Sequence, residues 1–277
     1  NADENFFAML LLASLSMTLF LEGERWWQWL RPAMIAVLAI GVVMSGSRTG
    51  LGMLLLLLPA AGGYWLMSGR VKLGQLALLI MVMLVGAAVA AILFADIFMA
   101  AGARYQLLFT LRESGLDTVT NGRSPVWAAA LKVIADHPWL GVGHGNFPHD
   151  VAQYSTLAFL LNARLERGVA AHSAYLATMA ETGIIGFSLF AAWLAAILRL
   201  AWINLQRNWL MPGLLGCLVM LMIAGFVLNV ESFKLLALVQ GSILSLALQQ
   251  RVMVSAKSSA SAKAPSSEAS ELSYANA

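Results

Sequence analysis

Apolar runs of membrane-spanning length govern what this chain can become. A helix needs about 20 largely apolar residues to cross the hydrocarbon layer, with about 17–25 the usual range. Seven stretches approach that requirement: Phe6–Leu21, Pro32–Gly46, Gly50–Met67, Leu73–Ala100, Ile184–Leu200, Trp209–Val230 and Leu235–Gln249. The second is short and abuts the third across Ser45–Thr49, while the fourth is long enough to tilt or project. Only 11% of the 277 residues are charged and 60% are hydrophobic, whereas a soluble domain carries about 25% charged residues. The expectation is an all-α fold, a polytopic transmembrane helix bundle whose solvent is largely lipid. No basic stripe interleaved with aromatics marks a nucleic-acid partner. Cys217 is the single cysteine, so neither an intrachain disulfide nor a cysteine-based metal site can form.

Basic residues orient such a bundle, because cytoplasmic loops carry an excess of Lys and Arg. Loops with Arg25 and Arg31, Arg70 and Lys72, and Arg199 and Arg207 alternate with loops poor in basic residues. Assigning them to the cytoplasmic side places the Arg48 turn and the whole 101–183 segment outside, with Lys234 a minor exception. The chain opens NADENFF, without Met or a basic n-region, and no signal peptide is read there. Its first residue would then lie outside, as expected for a fragment lacking an odd number of spans. Four units follow: 1–100 with four spans, 101–183 as a long external helical loop carrying the active site, 184–250 with three spans, and 251–277 as a disordered cytoplasmic tail. The Ser- and Ala-rich end of that tail cannot bury enough apolar surface to order itself.

The external loop is too long to serve as a mere connection. It holds all four histidines, His137, His144, His149 and His172, and six of the 17 basic residues, among them Arg104, Arg112 and Arg123. NGRSPVWAAALKVIADHPWLG predicts a helix capped by Ser124, with Pro125 at its first position and a stop before Pro138. Val126, Trp127, Ala130, Leu131 and Ile134 make its apolar stripe. HDVAQYSTLAFLLNARLERG predicts a second helix, with Val151, Tyr154, Ala158, Leu161 and Leu165 on one face. Both are expected to lie on the outer bilayer surface or on the bundle. GVGHGNF between them lacks the strand of a dinucleotide site, but its backbone amides could approach an anion. The histidines show no HExxH or comparable ligand spacing, so no metal is expected.

Ionisable groups at helix mouths near lipid must face protein or water, because lipid exposure costs several kcal/mol. Arg48 between two short spans, Arg123 before the external helix and His172 before the fifth span can therefore converge on one external pocket. Guanidinium groups bind phosphate oxygens bidentately and keep their charge, and an imidazole can accept a proton from a hydroxyl. That combination suits transfer from a phosphorylated donor to a hydroxyl. Outside a bacterial membrane there is no ATP, so the donor should be lipid-linked.

SGSRTG after a span, GRSPVWAAALKVIADHPWLGVGHGNF, and HSAYLATMAETGIIGF, in that order, resemble the O-antigen ligase/polymerase superfamily over about residues 33–200. The resemblance implies a membrane glycosyltransferase-type helical bundle of about a dozen spans, five of which would precede this chain. It implies transfer of a glycan from undecaprenyl diphosphate to a hydroxyl acceptor without metal, nucleotide or other cofactor. His172 takes the proposed base position, and Arg48 and Arg123 take the diphosphate-contacting positions. Relatives often carry Asn after this histidine, where this chain has Ser173. Arg104, Arg112, Tyr175 and Glu181 are further candidates for substrate contact, each with a packing or solvated alternative. Ligation of O-antigen to lipid A-core at the periplasmic face of the inner membrane is the expected activity. Polymerisation and protein O-glycosylation share its donor. A transporter is the competing class, but the charges gather on one side and the span interiors offer mainly Asp96.

Overall fold

The computed structural model describes residues 2–20, 25–69, 123–154, 170–228 and 231–263, with scattered positions between 72 and 81. Every regular element among them is helical: α1 (Ala2–Phe20), α2 (Arg25–Met44), α3 (Arg48–Met67), α4 (Ser124–Asp136), α5 (Phe147–Tyr154), α6 (Ala174–Ile203), α7 (Met211–Ala224) and α8 (Glu231–Lys263). A helix satisfies its own backbone in hydrocarbon, which is why apolar sequence of this kind takes that form. The stretches in α3, α6 and α8 are long and apolar enough to cross a membrane, the last over Lys234–Met253. Glu4–Phe20, Leu30–Met44 and Met211–Ala224 are shorter apolar helices beside them. The expected fourth span lies almost wholly outside the described residues, as do Asp96, Arg104, Arg112 and most of the second external helix.

The bundle packs around α1, which lies against α2, α3 and α7, while α6 lies against α7 and α8. Met9, Leu12, Leu15 and Leu19 of α1 join Val42, Leu57, Cys217, Leu218 and Ile243 in its core. Lipid offers no hydrophobic drive between helices, so close approach through small residues matters. The Ser16 hydroxyl donates to the Gly213 carbonyl at 2.9 Å, and a Cβ on Gly216 would stand 2.5 Å from Ser16 Oγ.

Tertiary hydrogen bonds define two ends. At one, Ser47 of the α2–α3 turn donates to Asn5 Oδ1 at 2.6 Å. At the other, the Arg31 guanidinium donates to the Leu19 carbonyl and sits 5.1 Å over the Trp65 ring; Gln250 Nε2 donates to the Arg207 carbonyl at 2.9 Å. Successive helices α1, α2 and α3, and then α6, α7 and α8, therefore alternate in direction.

Several boundaries depart from expectation for physical reasons. The sixth stretch is helical only over Met211–Ala224, because the Gly225 and Val227 carbonyls leave the helix ladder to accept from Ala174 N and from Arg123. Arg123, not Ser124, is the N-cap of α4, and no side chain caps it. Its buried face is Val126, Ala129, Ala130 and Val133, so Leu131 points outward at 58% exposure. α8 continues to Lys263, into the segment expected to be tail. α6 starts ten residues before the predicted span and breaks at Gly183, whose φ of 63° and ψ of −168° are not helical. The predicted span start at Ile184 coincides with that break.

Candidate active site

Three helix N-termini lie at the end of the bundle that carries the Asn5–Ser47 contact. Arg48 is the first residue of α3, Arg123 is the N-cap of α4, and His172 immediately precedes Ser173, the N-cap of α6. Each helix start adds a partial positive charge of about half a unit. Cations placed there strengthen that field instead of offsetting it.

The Arg48 turn is held from within. Ser47, only 2% exposed, accepts from Gly50 N at 3.0 Å as the α3 N-cap, donates to Asn5 Oδ1, and donates its own amide to Ser45 Oγ at 3.2 Å. Gly46 has φ 69°, the left-handed conformation that this tight turn requires. A Cβ on Gly50 would lie 2.7 Å from that of Ala8, so α1 packs directly under the turn.

Arg123 is half-buried and donates from Nη1 to the Val227 carbonyl at 2.7 Å. Burial, and then the neighbouring charge of Arg48, pull its pKa below the ordinary value for arginine. Two guanidinium groups from residues far apart in sequence thus share one electrostatic environment. Trp127, one turn into α4, donates from Nε1 to the Ala171 carbonyl at 3.0 Å and ties this helix to the residue before His172.

His172 is half-buried and has φ 48°, the only non-glycine residue with positive φ among those described. Histidine is one of the few side chains enriched in this region. The bend turns the chain so that Ser173 can cap α6, its hydroxyl accepting from Leu176 N at 3.4 Å, and so that Ala174 N donates to the Gly225 carbonyl at 2.7 Å. The segment after α7 therefore bonds both Arg123 and the turn that carries His172.

The remaining predicted residues among those described separate from this cluster or stand at its margin. Tyr175 spends its hydroxyl on the Met222 carbonyl at 2.6 Å and packs at a tilt against Phe226 and Phe190 with centroids 4.5 and 6.3 Å away. Glu181 lies two turns further along α6, where its Oε2 is 3.1 Å from His144 Nδ1. His137 is the C-cap of α4 and His149 is exposed. In GVGHGNF two amides are spent on the neighbouring helix: Val142 N and Gly143 N donate to the Ala180 and Glu181 carbonyls, both at 2.9 Å. Gly141, with φ 67°, permits close backbone packing on Ala180 and Glu181 just before the α6 break. Asn5 and the Gly225–Val227 segment were missed from sequence, since neither has a charge to single it out.

A family model described as O-antigen ligase matches residues 33–191, a span that contains Arg48, Arg123 and His172. No curated protein matches the chain significantly.

Proposed function

The chain belongs to the O-antigen ligase family, and from that membership we propose that it moves an undecaprenyl-diphosphate-linked O-antigen to a hydroxyl of lipid A-core. The family carries the coarser part, glycan transfer of the ligase/polymerase type by a membrane protein with a lipid-linked donor and an acceptor. The finer part rests on one observation above others: Arg123, its proton affinity lowered by burial and by the nearby charge of Arg48, is bonded to the same Gly225–Val227 segment that holds the mouth of α6, where His172 stands.

In the proposed reaction His172 accepts the proton of the acceptor hydroxyl. The hydroxyl oxygen attacks the anomeric carbon from the face opposite the diphosphate. The bond from that carbon to the diphosphate oxygen breaks, its electron pair leaves with undecaprenyl diphosphate, and configuration inverts. Arg48 and Arg123, aided by the helix N-termini, stabilise the charge that grows on the leaving group. The repulsion between the two cations is relieved when that anion arrives, which favours the charged transition state over the empty site. No step calls for a metal or other cofactor. The positive end of the bundle opposite this cluster, with Arg31, Arg199, Arg207 and Arg251, supports a cytoplasmic location for that end and a periplasmic one for the site.

The test is a reconstituted assay in vesicles with an undecaprenyl-diphosphate oligosaccharide and, separately, lipid A-core, a second repeat unit or a hydroxyl-bearing peptide. The reading expects undecaprenyl diphosphate to be released together with glycan transfer to lipid A-core. Transfer to one of the other acceptors alone would assign polymerisation or protein glycosylation instead. Solute flux without release would overturn the enzyme reading.

A further inference from the structure

The loop joining α4 to α5 ends in an apolar tip that glycan transfer does not use. Trp139 and Leu140, just after the stop of α4, are 69% and 72% exposed. Their height relative to the bundle is fixed by backbone bonds. The Pro138 carbonyl accepts from Ile184 N at 2.8 Å, and the Trp139 carbonyl accepts from Ile185 N at 3.4 Å. Ile184 and Ile185 open the membrane-grade part of α6, and both are exposed, as is Leu189 one turn later. The tip and the first turn of the span thus form one continuous apolar surface.

This contact cannot loosen by side-chain adjustment. A Cβ on Gly183 would lie 2.3 Å from the Trp139 carbonyl carbon, and one on Gly141 would lie 2.4 Å from the Glu181 carbonyl carbon. The two segments meet backbone to backbone. On the other flank of the loop, His144 is 93% exposed and pairs with Glu181. The loop therefore presents an apolar edge level with the start of a span and a polar edge away from it.

We propose that Trp139 and Leu140 insert into the headgroup–acyl boundary of the leaflet at this end of the bundle and anchor the external helices there. Tryptophan suits that depth, since its ring is apolar and its indole N–H can meet water or headgroup oxygens. Lipid is the occupant because the tip continues the surface that α6 turns to lipid at its first turn. The anchor sets the height of α4, and through it of Arg123, above the hydrocarbon. It does not depend on which glycan, if any, is transferred.

Spin labels at Leu140→Cys and His144→Cys, each in a Cys217→Ala background, read the depth of the two edges in phosphatidylethanolamine–phosphatidylglycerol vesicles. The label at 140 should collide more with lipid-soluble oxygen than with a water-soluble nickel chelate, and the label at 144 should show the reverse order. A label at 140 as open to nickel as that at 144, or shielded from both reagents by protein, overturns the proposal. Lipids brominated near the headgroup supply a second reading on the native loop. They should quench tryptophan emission less in Trp139→Phe protein than in the unsubstituted chain, and equal quenching overturns the anchor.

Discussion

Arg123 donates to a neutral carbonyl and feels a second cation, so its hydrogen bond fixes its position without cancelling its charge. Lysine in its place would begin near its usual value of about 10.4 and be lowered by the same burial and the same repulsion. An Arg123→Lys enzyme should lose transfer as the pH rises through that depressed value, because its ammonium deprotonates, while the native guanidinium stays charged. Superimposable alkaline limbs in the two pH–rate profiles would contradict this. His172 separates chemistry from backbone in a similar way. Asparagine also tolerates the left-handed conformation, so His172→Asn should melt like the native protein yet lose about 10²–10⁴ in transfer rate. A native rate would remove the base role. These residues were legible in the sequence because a cation or imidazole at the edge of an apolar run demands a reason. Asn5 and the commitment of Tyr175 were not legible: their partners lie 42 and 47 positions away, and nothing local announces them.

At the scale of elements, the break at Gly183 divides α6 into a short helix beside the site and a longer apolar one. Its φ and ψ fall in a region essentially restricted to glycine, where another residue costs on the order of 1–3 kcal/mol. Gly183→Ala adds a collision with Trp139, so it should destabilise the fold by at least that much and expose residues 137–147 to protease. Gly63→Ala is the control: a Cβ there meets nothing within 4 Å, and helix propensity favours alanine by about 0.5–1 kcal/mol. Equal melting of both variants would contradict the role assigned to the break. Periodicity and punctuation revealed the helices themselves, including α4 and its stop before Pro138. They did not reveal that Val142 and Gly143 of GVGHGNF spend their amides on α6, because a bond to a carbonyl some 38 positions away is a tertiary fact. They misjudged Leu131, since a stripe one residue wide of the true face fits the same apolar spacing.

At the scale of the molecule, the bundle has two ends of different character. One carries Arg31, Arg199, Arg207 and Arg251 near helix termini of alternating direction; the other gathers Arg48, Arg123 and His172 at three helix starts. Alternation was readable from the spacing of apolar runs and basic loops. How α1 lies under the Arg48 turn, and how the segment after α7 joins Arg123 to Ala174, required the packed chain. We propose that the two arginines grip one leaving group. Transfer rates for folded Arg48→Ala, Arg123→Ala and doubly substituted protein decide whether they do. Each single change should cost about 10²–10³, and the double change far less than the product of the two, since both act on one charge. A single variant that transfers glycan at the native rate, or losses that multiply in full, would contradict it.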